Sequence, residues 1–373
     1  MAHGAAEMKP VDERDTVFSR MGLREGTPQY KEYYRQHPER EEGDREVRRM
    51  PRKGIYRQMG SALGDESGPD GELAVQLMAR GNMALVRACI ETAAKAEVSA
   101  SKLIFPPAEI TPVIKETARH YGADLVATIE MRDDHFYSHH GSDAGKACGE
   151  CVDRSLRYAV VLAVETDRDM INRAPHAEQM LATTKGYADV SAVGSKLAVY
   201  LKALGYGAFL NTVFGYNAPL VPLARDAGLG QVGRHGMLIT RDYGPRVRLG
   251  AVMTDLPLLS DEPVDFGLAE FCKRCGKCAA NCIGRAIAAG DPESTNGQPC
   301  WPFNDVACYT IWKRIGTDCG ICLSTCPFSQ PVAPELFDRI RDGREAIDRI
   351  LADYDARHGR RPYIKDKLPI AQL

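Results

Sequence analysis

Eight of the twelve cysteines in this 373-residue chain stand in two runs near its end, and they constrain the fold more than any other feature. The first run is Cys272-x2-Cys275-x2-Cys278-x3-Cys282. The second is stretched, Cys308-x10-Cys319-x2-Cys322-x3-Cys326, and Pro327 follows it. Intervals this tight point to metal rather than to cross-links. Three thiolates on one short segment clasp three irons of a cubane, while the fourth faces away and ligates the neighbouring cluster. That crossed logic assigns one 4Fe–4S cluster to Cys272, Cys275, Cys278 and Cys326. The other falls to Cys282, Cys308, Cys319 and Cys322. Ile283 stands where a proline usually follows the first run. Zinc also uses CxxC pairs, but eight cysteines in crossed spacing favour a dicluster module of the bacterial ferredoxin kind. Such a module moves electrons.

Electrons need a destination, which the longer stretch ahead of Cys272 must house. Lys plus Arg number 48 against 50 for Asp plus Glu, a net charge of −2. That balance offers no field for a phosphate backbone, so nucleic acid is not an expected partner. No apolar run reaches the roughly 18 residues of a membrane span. The opening MAHGAAEMKPVDERD lacks the apolar stretch of a secretory signal. Arg48-Arg49 leads into Met50-Pro51-Arg52-Lys53 rather than a hydrophobic segment, so the chain is expected in the cytoplasm.

Along the chain, residues 1–71 read as an extended arm with short helices that wraps another domain. Apolar residues from Leu73 to Ile90 recur at helical spacing within 72–98. Helices follow at Thr111–Tyr121 and Tyr187–Leu204, and strands at Ala123–Met131, Tyr158–Val164, Ala208–Val213 and Arg246–Thr254. A further helix ends near Gly228. Helices alternating with strands predict an α/β (α+β) fold. The expected division is the arm, a core over 72–260, the cluster module over 261–332, and a tail over 333–373 packing on the core.

Two features of the core carry candidate chemistry. Gly228, Gly230, Gly233 and Gly236, interleaved with Arg234 and His235, let backbone approach a large flat ligand and donate N–H groups to it. On spacing alone, a helix C-cap followed by a tight turn explains them equally well. The strand after them puts Val247, Leu249, Ala251 and Met253 on one face and Arg246 and Arg248 on the other. Elsewhere, Cys148-x2-Cys151 with His139 and His140 upstream reads as reduced thiols, a redox pair or a zinc corner. Cys89 and Cys300 are expected in the core or near the clusters, without chemistry.

The run GLGQVGRHGMLIT from Gly228 to Thr240, then YGPRVR from Tyr243 to Arg248, resembles the reductive dehalogenases. So do Trp312 with the GTDCGICLSTCPFSQP that follows, and VDERDTVFSRMG and GTPQYKEYYRQHPE in the arm. The resemblance implies a nitroreductase-like corrinoid-binding core beside the dicluster module. It implies cobalamin bound base-off, contacted by the Gly228–Gly236 stretch, and a small-molecule substrate, an organohalide. It matches Tyr187 to the family's catalytic tyrosine and Arg248 to its basic active-site residue. A guanidinium beside a phenol favours phenolate and eases proton donation to the dehalogenated carbon. The alternatives are a core-capping tyrosine and a surface ion pair.

Respiratory members carry an export signal, and self-sufficient catabolic members an appended reductase. This chain shows neither, which implies an external donor such as ferredoxin or flavodoxin. The CGEC segment is foreign to the pattern, which leaves open a related reductase acting on a non-halogenated substrate, as the epoxyqueuosine reductases do. A corrinoid-binding or electron-carrier protein without turnover is the remaining possibility.

Overall fold

The computed structural model describes residues 9–51, 73–141, 148–295, 298–331 and 335–369. The expected N-terminal octapeptide, the end of the arm with Arg52 and Lys53, and residues 142–147 of the His- and Gly-rich loop lie outside the described residues.

At the centre is a four-stranded sheet: β1 (Leu125–Glu130), β2 (Tyr158–Glu165), β3 (Ala208–Asn211) and β6 (Val247–Thr254), in the order β1-β2-β6-β3. Two short strands, β4 (Gln231–Val232) and β5 (Leu238–Ile239), form a separate hairpin. Every pairing in the large sheet is antiparallel, which makes the core α+β. Its strands are β-branched and apolar because both faces are covered. Val160, Leu162 and Val252 pack on one side under helices, and Ala159, Val161, Leu249, Ala251 and Met253 pack on the other. The alternation expected along β6 is therefore real, and Arg248 points to the first side. Arg246 falls just before the strand instead. Its guanidinium is buried, donating to the Ser329 and Thr166 carbonyls at 2.8 and 2.9 Å.

The helices, in chain order, begin with α1 (Val17–Gly22), α2 (Pro28–Gln36) and α3 (Pro38–Arg49) in the arm. Next come α4 (Leu73–Lys95), α5 (Pro107–His120), α6 (Arg168–Ile171) and α7 (Ala177–Ala203). Periodicity predicts α7 from Tyr187, but the helix starts ten residues earlier. Its first turns carry Glu178, Gln179, Thr183 and Thr184, all buried polar residues that leave no apolar stripe to read. Tyr187 thus sits inside the helix, not at its start. The helix lies unusually close to the sheet because glycines face it. A Cβ at Gly194 would stand 2.5 Å from Leu210 Cδ1, and one at Gly250 would stand 2.9 Å from Val190 Cγ2. The start of α5 likewise precedes the expected Thr111, since Pro107 has the φ that a first helical position needs.

After α8 (Leu220–Asp226) the cysteine-bearing stretch is built from short helices: α9 (Leu268–Cys275), α10 (Lys277–Asn281), α11 (Asp305–Ile315) and α12 (Ile321–Thr325). The last helices are α13 (Glu335–Ile340) and α14 (Arg344–His358). The tail packs in two places. Ile347 and Ile350 join the apolar cluster of α9, whereas Ile364 and Leu368 donate backbone N–H groups to Asn172 and Glu178 of the core.

The arm is helical and bridges both parts. Glu13 accepts from the Gly141 N–H, and Arg20 reaches Asp305 of α11 at 3.1 Å. Lys313 of α11 donates to the Val47 and Arg48 carbonyls. At the centre of the arm Arg20 and Asp44 pair at 2.9 Å, with side chains only 4% and 1% exposed. Removing one member of such a pair strands a buried charge, a loss of about 3–5 kcal/mol. Asp44→Ala should therefore loosen the arm, read as faster tryptic cleavage within residues 9–51. Cleavage at the parental rate would show that the pair does not hold the arm down.

Candidate functional site

Cys272, Cys275, Cys278 and Cys326 line one small cavity, together with Arg234, His235, Phe271 and Phe328. Cys272 and Cys275 are three apart on α9 and share a face. Left-handed Gly276 ends that helix and turns the chain so that Cys278 enters from α10. Burial, reinforced by the neighbouring thiols, pushes Cys272 and Cys278 up to about 12. Cys282, Cys308, Cys319 and Cys322 form the second set. Burial raises Cys308 to about 12 and Cys319 to about 11 and pushes Cys322 up as well, with Cys282 among the neighbouring cysteines that add to each. Four thiolates in one dry space repel, and bound iron would offset that repulsion by holding each thiol deprotonated. Both sets therefore fit a cubane. Among the described residues no three His, Cys, Asp or Glu side chains converge as ligands of a single ion would. Cys89 is buried in the core and Cys300 is exposed.

Most of the glycine run serves the chain's own packing. Gly228, with φ +83, closes α8, the Leu229 N–H returning to the Ala224 carbonyl as in a helix C-cap. A Cβ there would lie 2.3 Å from the Glu262 oxygen, and one at Gly230 2.2 Å from the Ile239 oxygen. Gly233 packs against the Ile239 side chain. Only Gly236 among the four faces open space. Arg234 is 3% exposed and donates to the Cys272 carbonyl at 3.0 and 3.1 Å and to Ala288 and Gly290 at 2.8 Å, its guanidinium 4.9 Å from the Trp301 ring. It braces the cysteine loop. His235 is 2% exposed, and burial lowers it to about 4, so it is neutral.

Tyr187 and Arg248 do meet. The guanidinium carbon of Arg248 lies 5.3 Å from the Tyr187 ring centre. Arg248 Nη2 donates to Thr183 Oγ1 at 2.6 Å, and Thr183 donates onward to Asp318 Oδ2 at 2.6 Å. Asp318 immediately precedes Cys319 and is fully enclosed, and burial raises its carboxyl. Arg248 Nε is buried with no hydrogen-bond partner among the described residues. Tyr216 stands near both, in a loop pinned where Asn211 accepts from Asn217 and Ala218. Sequence reasoning misses Thr183 and Asp318. Thr183 lies one helical turn before Tyr187, a spacing visible only once α7 is extended backwards.

The CGEC segment forms a hairpin with His139 and His140: the His140 N–H bonds the Glu150 carbonyl at 2.9 Å. Cys148 packs partly against the tyrosine cluster of the arm, and Cys151 is exposed, neither in a disulfide.

No protein-family model matches the chain. It is 30% identical over 257 residues to the tetrachloroethene reductive dehalogenase of Sulfurospirillum multivorans, covering 60% of this chain and 51% of that protein. The Desulfitobacterium hafniense enzyme of the same name is 34% identical over 275 residues, covering 60% and 48%. An epoxyqueuosine reductase of Lactococcus garvieae matches over 119 residues at 33% identity, 30% of this chain and 32% of that one. Among solved structures, a variant of the catabolic reductive dehalogenase NpRdhA superposes with a TM-score of 0.71 at 22% identity, over 95% of this chain and 47% of that one. The same protein in complex with 3-bromo-4-hydroxybenzoic acid gives 0.67 at 22% identity, over 95% and 49%. The chain is thus similar in sequence, over about 60% of its length, to proteins named reductive dehalogenase, and its fold matches that of a solved one. It spans about half the length of the curated relatives it matches.

Thr183 is the hinge of this geometry. Thr183→Val keeps the shape but removes the hydroxyl shared by two charged partners, and should destabilise by roughly 2–3 kcal/mol. A lowered melting midpoint, largely restored in Thr183→Ser, is the expected result. A parental midpoint in the valine variant would mean that Arg248 is held from elsewhere.

Proposed function

We propose that this chain is a corrinoid-dependent reductase that removes halide from an organohalide, with electrons relayed through two 4Fe–4S clusters. The observation that carries this is the chain of contacts Tyr187–Arg248–Thr183–Asp318, which ends beside Cys319. It joins a phenol to the cysteine-bearing loops. In this proposal the sheet with α4 to α8 is a nitroreductase-like corrinoid-binding core. The stretch from α9 to α12 is a ferredoxin-like module, with Cys272, Cys275, Cys278 and Cys326 on one cluster and Cys282, Cys308, Cys319 and Cys322 on the other.

A bound corrinoid, base-off, would supply the strongly reducing cobalt that expels halide from carbon. The open Gly236 and its half-exposed neighbour Met237 would border it. Overall, two electrons and one proton replace halide with hydrogen. Tyr187 gives its hydroxyl proton to the carbon that loses halide. Arg248, over the ring, stabilises the phenolate left behind. Thr183 fixes the Arg248 fork, and the phenolate is reprotonated from solvent before the next turnover. A ferredoxin or flavodoxin would deliver the electrons. Twelve cysteines, none of them in a disulfide, suit the reducing cytoplasm. A net charge of −2 gives no field for an RNA substrate, which favours a small molecule.

Anaerobically reconstituted protein should carry about eight irons, two cubanes' worth. Cys275→Ser should lose about half of them, and stoichiometric zinc without iron would overturn the assignment. Loaded with cobalamin and a low-potential reductant, the protein should release bromide from 3-bromo-4-hydroxybenzoate or chloride from tetrachloroethene. Tyr187→Phe should cut turnover by roughly 10²–10⁴-fold, the usual contribution of a general acid, with iron and cobalamin content unchanged. Arg248→Lys should do less damage than Arg248→Met, because it keeps the charge and loses only the planar fork. Near-parental turnover in Tyr187→Phe would remove it from the mechanism.

A further inference from the structure

His235 has a feature that the reaction outlined above does not use. Its ring is 2% exposed, and Nδ1 accepts the Met237 N–H at 3.1 Å. A nitrogen that accepts carries no proton, so the proton of the ring sits on Nε2. Nε2 is buried and has no partner among the described residues. The ring lines the cavity shared by Cys272, Cys275, Cys278 and Cys326. An orphaned buried donor is destabilising by about 1–3 kcal/mol unless something accepts from it. The other walls offer little. Ile239, Phe271, Pro327 and Phe328 are apolar, and the Arg234 guanidinium is itself a donor already spent on carbonyls. The remaining acceptors in that space are sulfur.

We infer that His235 donates an Nε2–H hydrogen bond to a sulfur of the cluster held by Cys272, Cys275, Cys278 and Cys326, and thereby raises that cluster's reduction potential above its neighbour's bias. The inference rests on the cluster assignment proposed above. Reduction adds negative charge to the sulfurs, and a fixed N–H donor stabilises the more negative state; such bonds are a principal control of cluster potential. The neutral ring does this without adding a charge. His235 acts here as a positioning residue for electrons, biasing on which cluster they rest, and forms no bond to substrate.

The test uses reconstituted full-length protein. Histidine labelled with ¹⁵N should give a nitrogen coupling, together with an exchangeable proton, in electron–nuclear double resonance of the reduced cluster. In His235→Phe, which keeps a buried ring and has no donor, both signals should vanish. At a fixed solution potential the ratio of reduced to oxidised cluster should fall about tenfold, equivalent to about 59 mV for a one-electron couple. The cluster on Cys282, Cys308, Cys319 and Cys322 should not move. His235→Gln, which keeps an N–H donor, should recover most of the shift. Absence of histidine coupling in the native protein overturns the inference even if the variants fail to fold. So does an equal shift in both variants, which would mark a packing effect. Failure to bind iron at all would instead overturn the cluster assignment, and the iron count separates the two.

Discussion

Gly186 has no side chain, and the position of Arg248 depends on that. A Cβ at Gly186 would lie 2.5 Å from Arg248 Cγ, closer than carbon atoms can stand. The helix carrying Tyr187 therefore settles directly on the strand carrying Arg248, with the arginine stem in the space a side chain would fill. The next residue along the helix is Tyr187, and the residue one turn back is Thr183. One missing side chain thus brings a phenol, a hydroxyl and a guanidinium to one place. Gly194 on the helix and Gly250 on the strand extend the same close approach.

The same economy governs the join between core and cysteine module. Gly244 lies against the Phe328 backbone, next to the Pro327–Ser329 turn that follows Cys326. Arg246 holds the Ser329 carbonyl of that turn, and Arg234 holds the Cys272 carbonyl. Both are buried arginines; Arg234 spends its donors on backbone oxygens, and Arg246 also pairs with the Glu165 carboxylate. Arg234 adds positive charge beside a space where four thiols otherwise resist ionisation, lowering Cys272 and Cys278 against the upward push of burial. Structure and electrostatics here are one device: the groups that hold the loops also ease the presence of sulfur anions between them.

The sequence made the cysteines legible because ligand spacing is local. A run of x2, x2 and x3 needs no knowledge of tertiary contacts, and the expectation of a crossed pairing needs only that spacing. The sheet was also legible: the four main strands lie within two residues of their expected starts, because buried strands read as apolar runs. The first turns of α7 were not. Glu178, Gln179, Thr183 and Thr184 are buried yet polar, stabilised by partners far along the chain such as Asp318 and Leu368. No local pattern encodes such partners. The same holds for Arg246, which alternation places beside Arg248 but which is drawn out of the strand by the Ser329 carbonyl.

The glycine run shows why a motif and its mechanism have to be separated. Gly228, Gly230, Gly233 and Gly236 read as a surface for a flat ligand, and as a helix cap with a turn. Three of the four are required by the chain itself, since a Cβ would strike the Glu262 or Ile239 backbone, or the Ile239 side chain. Yet the turn they build is not idle. It carries Arg234 and His235 into the wall of the first cysteine cavity while leaving Gly236 and Met237 facing outward. The hairpin of β4 and β5 thus has two unlike sides. One side is committed to the cysteines and the other stays open. A ligand on the open side would meet Gly236 and Met237 while Arg234 and His235 face the cysteine cavity, so the glycines matter less as contacts than as what lets this turn fold.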